Sequence, residues 1–171
     1  MRKLGSILGL TLGATGVAAQ PLDPASVEGV YRHAFQNGDV RGETFKSVDT
    51  LEIVRISPDA AYVHMQLEFF NGHGCSFSGV ARAEAGALTY SRPAAELRPA
   101  CTLRLHVTAD RISPEDVGNN CREWDCGARG GYEGISFARS TRRRIRRLKA
   151  LRASPGFAEA MEDYRAGGRP R

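Results

Sequence analysis

A period of two runs through most of this chain and constrains its fold more than any other feature. Over 102–109, Leu103, Leu105 and Val107 alternate with Arg104, His106 and Thr108. Over 61–70, Val63, Met65, Leu67 and Phe69 oppose Tyr62, His64, Gln66 and Glu68. Successive side chains of a strand point to opposite faces, so this pattern gives strands with one buried and one wetter face. Residues 27–35, 44–56, 76–85, 88–90 and 131–137 read as further strands. Asn37-Gly38-Asp39, Ser57-Pro58-Asp59 and Asn71-Gly72-His73-Gly74 supply the turns. Residues 93–99 read as a loop, and 112–115 as a turn like 56–59. Seven or eight short strands with connections too short for parallel crossovers predict a mainly β fold. A small antiparallel barrel or sandwich, a lipocalin-like meander, fits them.

The period then changes. Ile145, Leu148 and Leu151 fall at helical spacing over 142–153. Ser154 reads as an N-cap and Pro155 as the first residue of a second helix running to Tyr164, with Phe157, Met161 and Tyr164 on one face. A C-terminal helical segment therefore follows the β domain.

The N-terminus reads as an address. Met1-Arg2-Lys3 is positive, 4–17 is apolar or small, and Val17-Ala18-Ala19 suits a signal peptidase. The chain thus divides into a signal peptide (1–19), a β domain (20–138) and a basic helical segment (139–171), destined for the periplasm or secretion. In an oxidising compartment Cys75, Cys101, Cys121 and Cys126 read as two disulfides. Three pairings are open. Spacing favours Cys121–Cys126 as a tight loop, with Cys75–Cys101 joining two strands.

Charge is split. Residues 20–138 carry 11 basic and 16 acidic side chains, while 139–171 carry 11 basic and 3 acidic. Arg142, Arg143, Arg144, Arg146 and Arg147 form a dense block suited to an anionic surface, lipid or lipopolysaccharide. Nucleic acid is excluded as a partner by the compartment. No 18-residue apolar run lies beyond the leader.

Recognisable catalytic motifs are missing: there is no G-x-S-x-G elbow, phosphate loop or H-E-x-x-H. Ser76 and Ser78 lie near His73 without triad spacing. Asp49, Glu52 and Glu68 are the carboxylates a glycosidase-like cleft would need. A disulfide at Cys75 would remove the thiolate that a metal at His73 and Cys75 requires. The expectation is a non-enzymatic protein with no cofactor and no metal.

The most distinctive stretch is 121–131. It holds the only tryptophan, and Arg122, Glu123, Trp124, Asp125 and Arg129 are the candidate partner-binding residues. Cys121-Arg122-Glu123-Trp124-Asp125-Cys126-Gly127 resembles the protruding loop of the Ivy family of periplasmic lysozyme inhibitors. The resemblance implies a disulfide loop that enters the lysozyme cleft; Trp124 stands where that family has a His. The reading is a binding module for a protein of the envelope, an inhibitor of a cell-wall hydrolase such as lysozyme. Two alternatives stand beside it. One is a barrel holding an apolar ligand among Tyr62, Met65, Phe77 and Leu105. The other is an envelope-associated structural protein attached through its arginines.

Overall fold

The computed structural model describes residues 20–167; residues 1–19, where a signal peptide is expected, and residues 168–171 lie outside the described residues. Eight strands form one sheet in chain order: β1 (Gly29–Gly38), β2 (Thr44–Ser57), β3 (Ala60–Glu68), β4 (Gly74–Glu84), β5 (Ala87–Arg92), β6 (Cys101–Val107), β7 (Arg111–Asp116) and β8 (Phe137–Ala138). Every pairing is antiparallel. The sheet curls into a nearly closed barrel. Val30 and Arg143 exchange backbone hydrogen bonds of 2.9 and 2.8 Å, which brings the segment after β8 against β1.

The alternation read from the sequence sets the inner face. Leu51, Ile53, Val63, Met65, Leu67, Leu103 and Leu105 are fully buried in one core. Met65, Phe77 and Leu105 belong to it, whereas Tyr62 points to the opposite face and packs on Phe157 with ring centroids 4.7 Å apart. Alternation fails over Ala60, Ala61, Tyr62 and Val63, all buried. A second layer covers the outer face there. Val54, Tyr62 and Val80 pack under Ile145 and under Phe157, Met161 and Tyr164 of a helix over Pro155–Arg165. Ser154 caps that helix by accepting from the Phe157 amide at 3.2 Å, and Pro155 occupies its first turn.

Three expected elements differ. The turn expected over 112–115 is strand β7, with Pro114 opposite Leu105. Strand β8 pairs only with Arg111 and Ile112, so beyond them β7 has a neighbour on one side, where a residue without an N–H is tolerated. The last strand expected over 131–137 is only Phe137–Ala138. Before it the chain turns through Gly134 at φ +75° and buries Tyr132. The helix expected over 142–153 is only Leu148–Arg152, named α2 here, between a one-turn helix α1 (Arg122–Asp125) and α3 (Pro155–Arg165). The Arg143 backbone is extended because it is engaged with β1. Ile145, Leu148 and Leu151 still face one cluster.

Two arginines fasten the closure. Arg142 donates from Nε to the Glu28 carbonyl at 2.7 Å, from Nη1 to Ser26 at 2.9 Å and from Nη2 to Ala25 at 3.3 Å. Arg139 donates to the carbonyls of Thr108 at 3.0 Å and Ser26 at 3.3 Å. Arg142→Ala should lower the unfolding free energy by about 1–3 kcal/mol, the scale of charged hydrogen bonds. Arg144→Ala should stay within about 0.5 kcal/mol of wild type. Urea denaturation of both variants measures this; equal effects would remove Arg142 from the closure.

Candidate functional site

The disulfides join Cys75 to Cys126 and Cys101 to Cys121, which corrects the pairing that spacing favours. Cys121 and Cys126 flank the single turn of α1 and leave it in opposite directions. Cys121 is buried towards β6, and Cys126 is extended and bridges β4 at Cys75. Strands β4 and β5 pair only over Arg82–Glu84 and Ala87–Thr89, then part. Residues 121–127 occupy the space between them, and the Gly127 amide continues the edge of β4 by donating to the Gly74 carbonyl at 2.8 Å. Gly130 closes over this junction: a Cβ there would lie 2.9 Å from Cys75 Sγ and 3.1 Å from Cys126 Cβ.

This frame makes α1 a fixed platform. Asp116 accepts from the amides of Cys121 at 3.0 Å and Arg122 at 2.9 Å. Trp124 stands 43% exposed on the platform, and the Arg98 guanidinium lies 4.7 Å from its ring centroid. Arg122 and Glu123 are exposed beside it. Asp125 is turned inward, accepting from the buried Tyr132 hydroxyl at 3.1 Å. Of the five candidate contact residues, Arg122, Glu123 and Trp124 are exposed on α1, Arg129 is exposed beyond it in the chain, and Asp125 supports the turn from below.

Behind Arg98 lies a cleft of about 700 Å³, walled by outer-face residues of β4 and β5, by Gly79, Tyr90 and Arg92 of the opposite parity where the strands part, by the loop 93–100 and by α3. Gly79 and Tyr90 meet where the strands part. A Cβ on Gly79 would come within 2.8 Å of both the Tyr90 and Phe77 rings, so only glycine lets Tyr90 lie there. In the sequence 93–99 reads as a plain loop and no local pattern marks this cleft, because it depends on where β4 and β5 stop pairing.

The remaining candidates disperse. Ser78 meets His64, not His73: His64 Nδ1 is 3.0 Å from Ser78 Oγ and 3.1 Å from the Phe77 carbonyl. A carbonyl only accepts, so Nδ1 carries the proton here and faces Ser78 as a donor, the reverse of what a general base needs. Tyr62 also donates to Ser78, at 3.2 Å. The contact follows from cross-strand register, His64 opposite Ser78, which linear spacing hides. Asp49 is buried and accepts from the Glu68 amide at 2.9 Å, while Glu52 and Glu68 have the parity of the outer face, so the three do not converge. Cys101, Cys121 and Asp125 lie close together, but both sulfurs are in disulfides and offer no thiolate. In the arginine block, Arg142 and Arg143 spend their guanidiniums on backbone carbonyls, whereas Arg144, Arg146 and Arg147 are exposed.

No family model, curated protein or solved structure matches this chain.

Burial pushes the Asp125 carboxyl above its ordinary range; the Tyr132 hydrogen bond and the charges of Arg92 and Arg98 oppose this, and Asp116 adds to it. A carboxyl raised in the folded state binds more protons folded than unfolded, so its ionisation costs stability as pH rises past the ordinary carboxylate value. Asp125→Asn keeps an acceptor for Tyr132 and removes that cost. The variant should be more stable than wild type at pH 7, with the gain gone below about pH 4. Urea denaturation at both pH values measures this; a variant destabilised at pH 7 would contradict it.

Proposed function

We propose that this protein is a non-enzymatic binding module of an oxidising, extracytoplasmic compartment, exported by its leader to the periplasm or beyond. Its contact surface is the α1 platform. The observation that carries this reading is the chain's only tryptophan, exposed on a single turn that two disulfides and the Asp116 cap hold in place. A large aromatic presented on an ordered platform loses little entropy on binding and serves as an anchor at the centre of an interface. Arg98, Arg122 and Glu123 stand around it as the polar rim, and the exposed Arg129 follows in the chain.

The partner is a protein of the envelope; the resemblance of residues 121–127 makes a cell-wall hydrolase such as lysozyme the first to test, although the loop closed by Cys121–Cys126 that the resemblance implies does not form, each cysteine being bonded to a strand instead. The two disulfides support the compartment, since such bonds persist in oxidising surroundings. Arg144, Arg146 and Arg147, all exposed, give the same protein a second contact, with anionic lipid or lipopolysaccharide.

The test combines lysozyme inhibition with binding to immobilised lysozyme, using the mature chain and Trp124→Ala. Wild type should bind and inhibit. The variant should bind about thirtyfold more weakly or worse, the loss of a hot spot of about 2 kcal/mol, with an unchanged melting temperature. Undiminished binding by the variant would remove Trp124 from the interface. Failure of wild type to bind would remove lysozyme from the reading.

A further inference from the structure

Arg92 ends β5 with the inner-face parity of Leu88 and Tyr90, opposite the disulfide-bonded Cys101. Its side chain lines the cleft described above. Its Nε and Nη2 are buried and have no hydrogen-bond partner within 3.5 Å, although the Tyr90 hydroxyl is close enough to the guanidinium to feel its charge. Those two nitrogens form the side edge of the guanidinium, whose parallel N–H bonds match the two oxygens of a carboxylate. Arginine stays charged in proteins, and a buried donor without an acceptor costs stability, so this edge is an expense unless something is received there. Asp125 acts on Arg92 electrostatically and accepts from the Tyr132 hydroxyl, but neither Nε nor Nη2 of Arg92 is within hydrogen-bond distance of it.

The surroundings suit an organic acid better than a bare ion. Val80, Tyr90 and Tyr164 give the cleft apolar surface. Glu159, Glu162 and Asp163 line its α3 wall, and Glu84 and Glu96 add two more carboxylates against the guanidiniums of Arg82, Arg92 and Arg98. Acidic side chains at the wall disfavour a small multivalent anion and leave a single carboxylate, carried on an apolar body, as the group that fits. The loop 93–100 forms the adjoining wall. Its backbone hydrogen bonds join Ala95 to Arg98 within the loop itself, so it can lift without breaking a strand ladder, giving up only the stacking of Arg98 on Trp124.

We propose that this cleft is a binding site for a carboxylate borne on an apolar residue, received side-on by Arg92 as the loop 93–100 moves aside. The carboxylate comes from a free acylated amino acid or from the C-terminus of a peptide. The inference does not depend on Trp124 as a protein contact and stands or falls separately from it.

The test titrates the mature chain with N-acetylphenylalanine and its amide, then with a tetrapeptide ending in phenylalanine as the free acid and as the amide. The Arg92 Nε–H resonance in two-dimensional NMR is the readout. The free acids should shift that resonance and bind at least tenfold more tightly than the amides. Tighter binding of the tetrapeptide would assign the site to chain ends, and equal binding to free acids. Arg92→Lys, which keeps the charge and loses the fork, should weaken acid binding at least tenfold. Arg92→Met should abolish it while holding or raising the melting temperature, because it removes an unpaired buried charge. Equal binding of acid and amide, no binding of either acid at millimolar concentration, or undiminished binding by Arg92→Lys would overturn the proposal. A marked fall in melting temperature for Arg92→Met would make Arg92 a structural group and overturn it as well.

Discussion

The structure depends on two disulfides that run from the ends of one helical turn to two different strands. Strands β4 and β5 separate after three residue pairs, and an open wall would expose ladder groups and the barrel's interior. Residues 121–127 fill the opening. Cys126 ties them to β4 at Cys75, and Cys121 ties them to β6 at Cys101. The closed loops span sequence separations of 51 and 20 residues, so in the chain-entropy account each bridge contributes about 3–4 kcal/mol. Because the bridges pull in different directions, the turn between them is fixed in position as well as shape.

Both candidate sites follow from that arrangement. The turn is short, so its middle residue, Trp124, stands out from the wall instead of packing into it. The place where β4 and β5 part is also where Gly79 makes room for Tyr90 and where Arg92 reaches inward beside Asp125 and Tyr132. Arg98 joins the two regions, lining the cleft with one part of its side chain and stacking on Trp124 with its guanidinium. On the far side the barrel is closed differently, by Arg139 and Arg142 gripping the carbonyls of the N-terminal segment. Part of what reads in sequence as a block for anionic surfaces is therefore a clasp.

Local pattern carried the inner face well. Leu103, Leu105 and Val107 on β6, and Val63, Met65 and Leu67 on β3, point where alternation placed them. Ser154 and Pro155 marked the start of α3 because capping is a property of a few adjacent residues. Elements whose fate lies in distant partners were not legible. Pro114 reads as a turn until one knows that β8 leaves that edge of β7 free. Arg143 reads as helical until β1 claims its backbone. The cysteine pairing failed for the same reason: spacing counts residues along the chain, whereas the direction of each Cβ is set by the strands on either side. Trp124 is visible as a singular residue, but Arg92 is not, since nothing local distinguishes an arginine with two buried, unpartnered nitrogens from the others.

Peptide mapping without reduction tests the central claim most directly. Trypsin cleaves after Arg122 and so separates Cys121, in residues 112–122, from Cys126, in residues 123–129. Cys75 falls in residues 56–82 and Cys101 in residues 83–104, where Arg92 and Arg98 precede prolines and resist cleavage. The account predicts that 56–82 is recovered linked to 123–129, and 83–104 linked to 112–122. Recovery of 112–122 linked to 123–129 would mean a Cys121–Cys126 loop hanging free of the barrel wall and would contradict it.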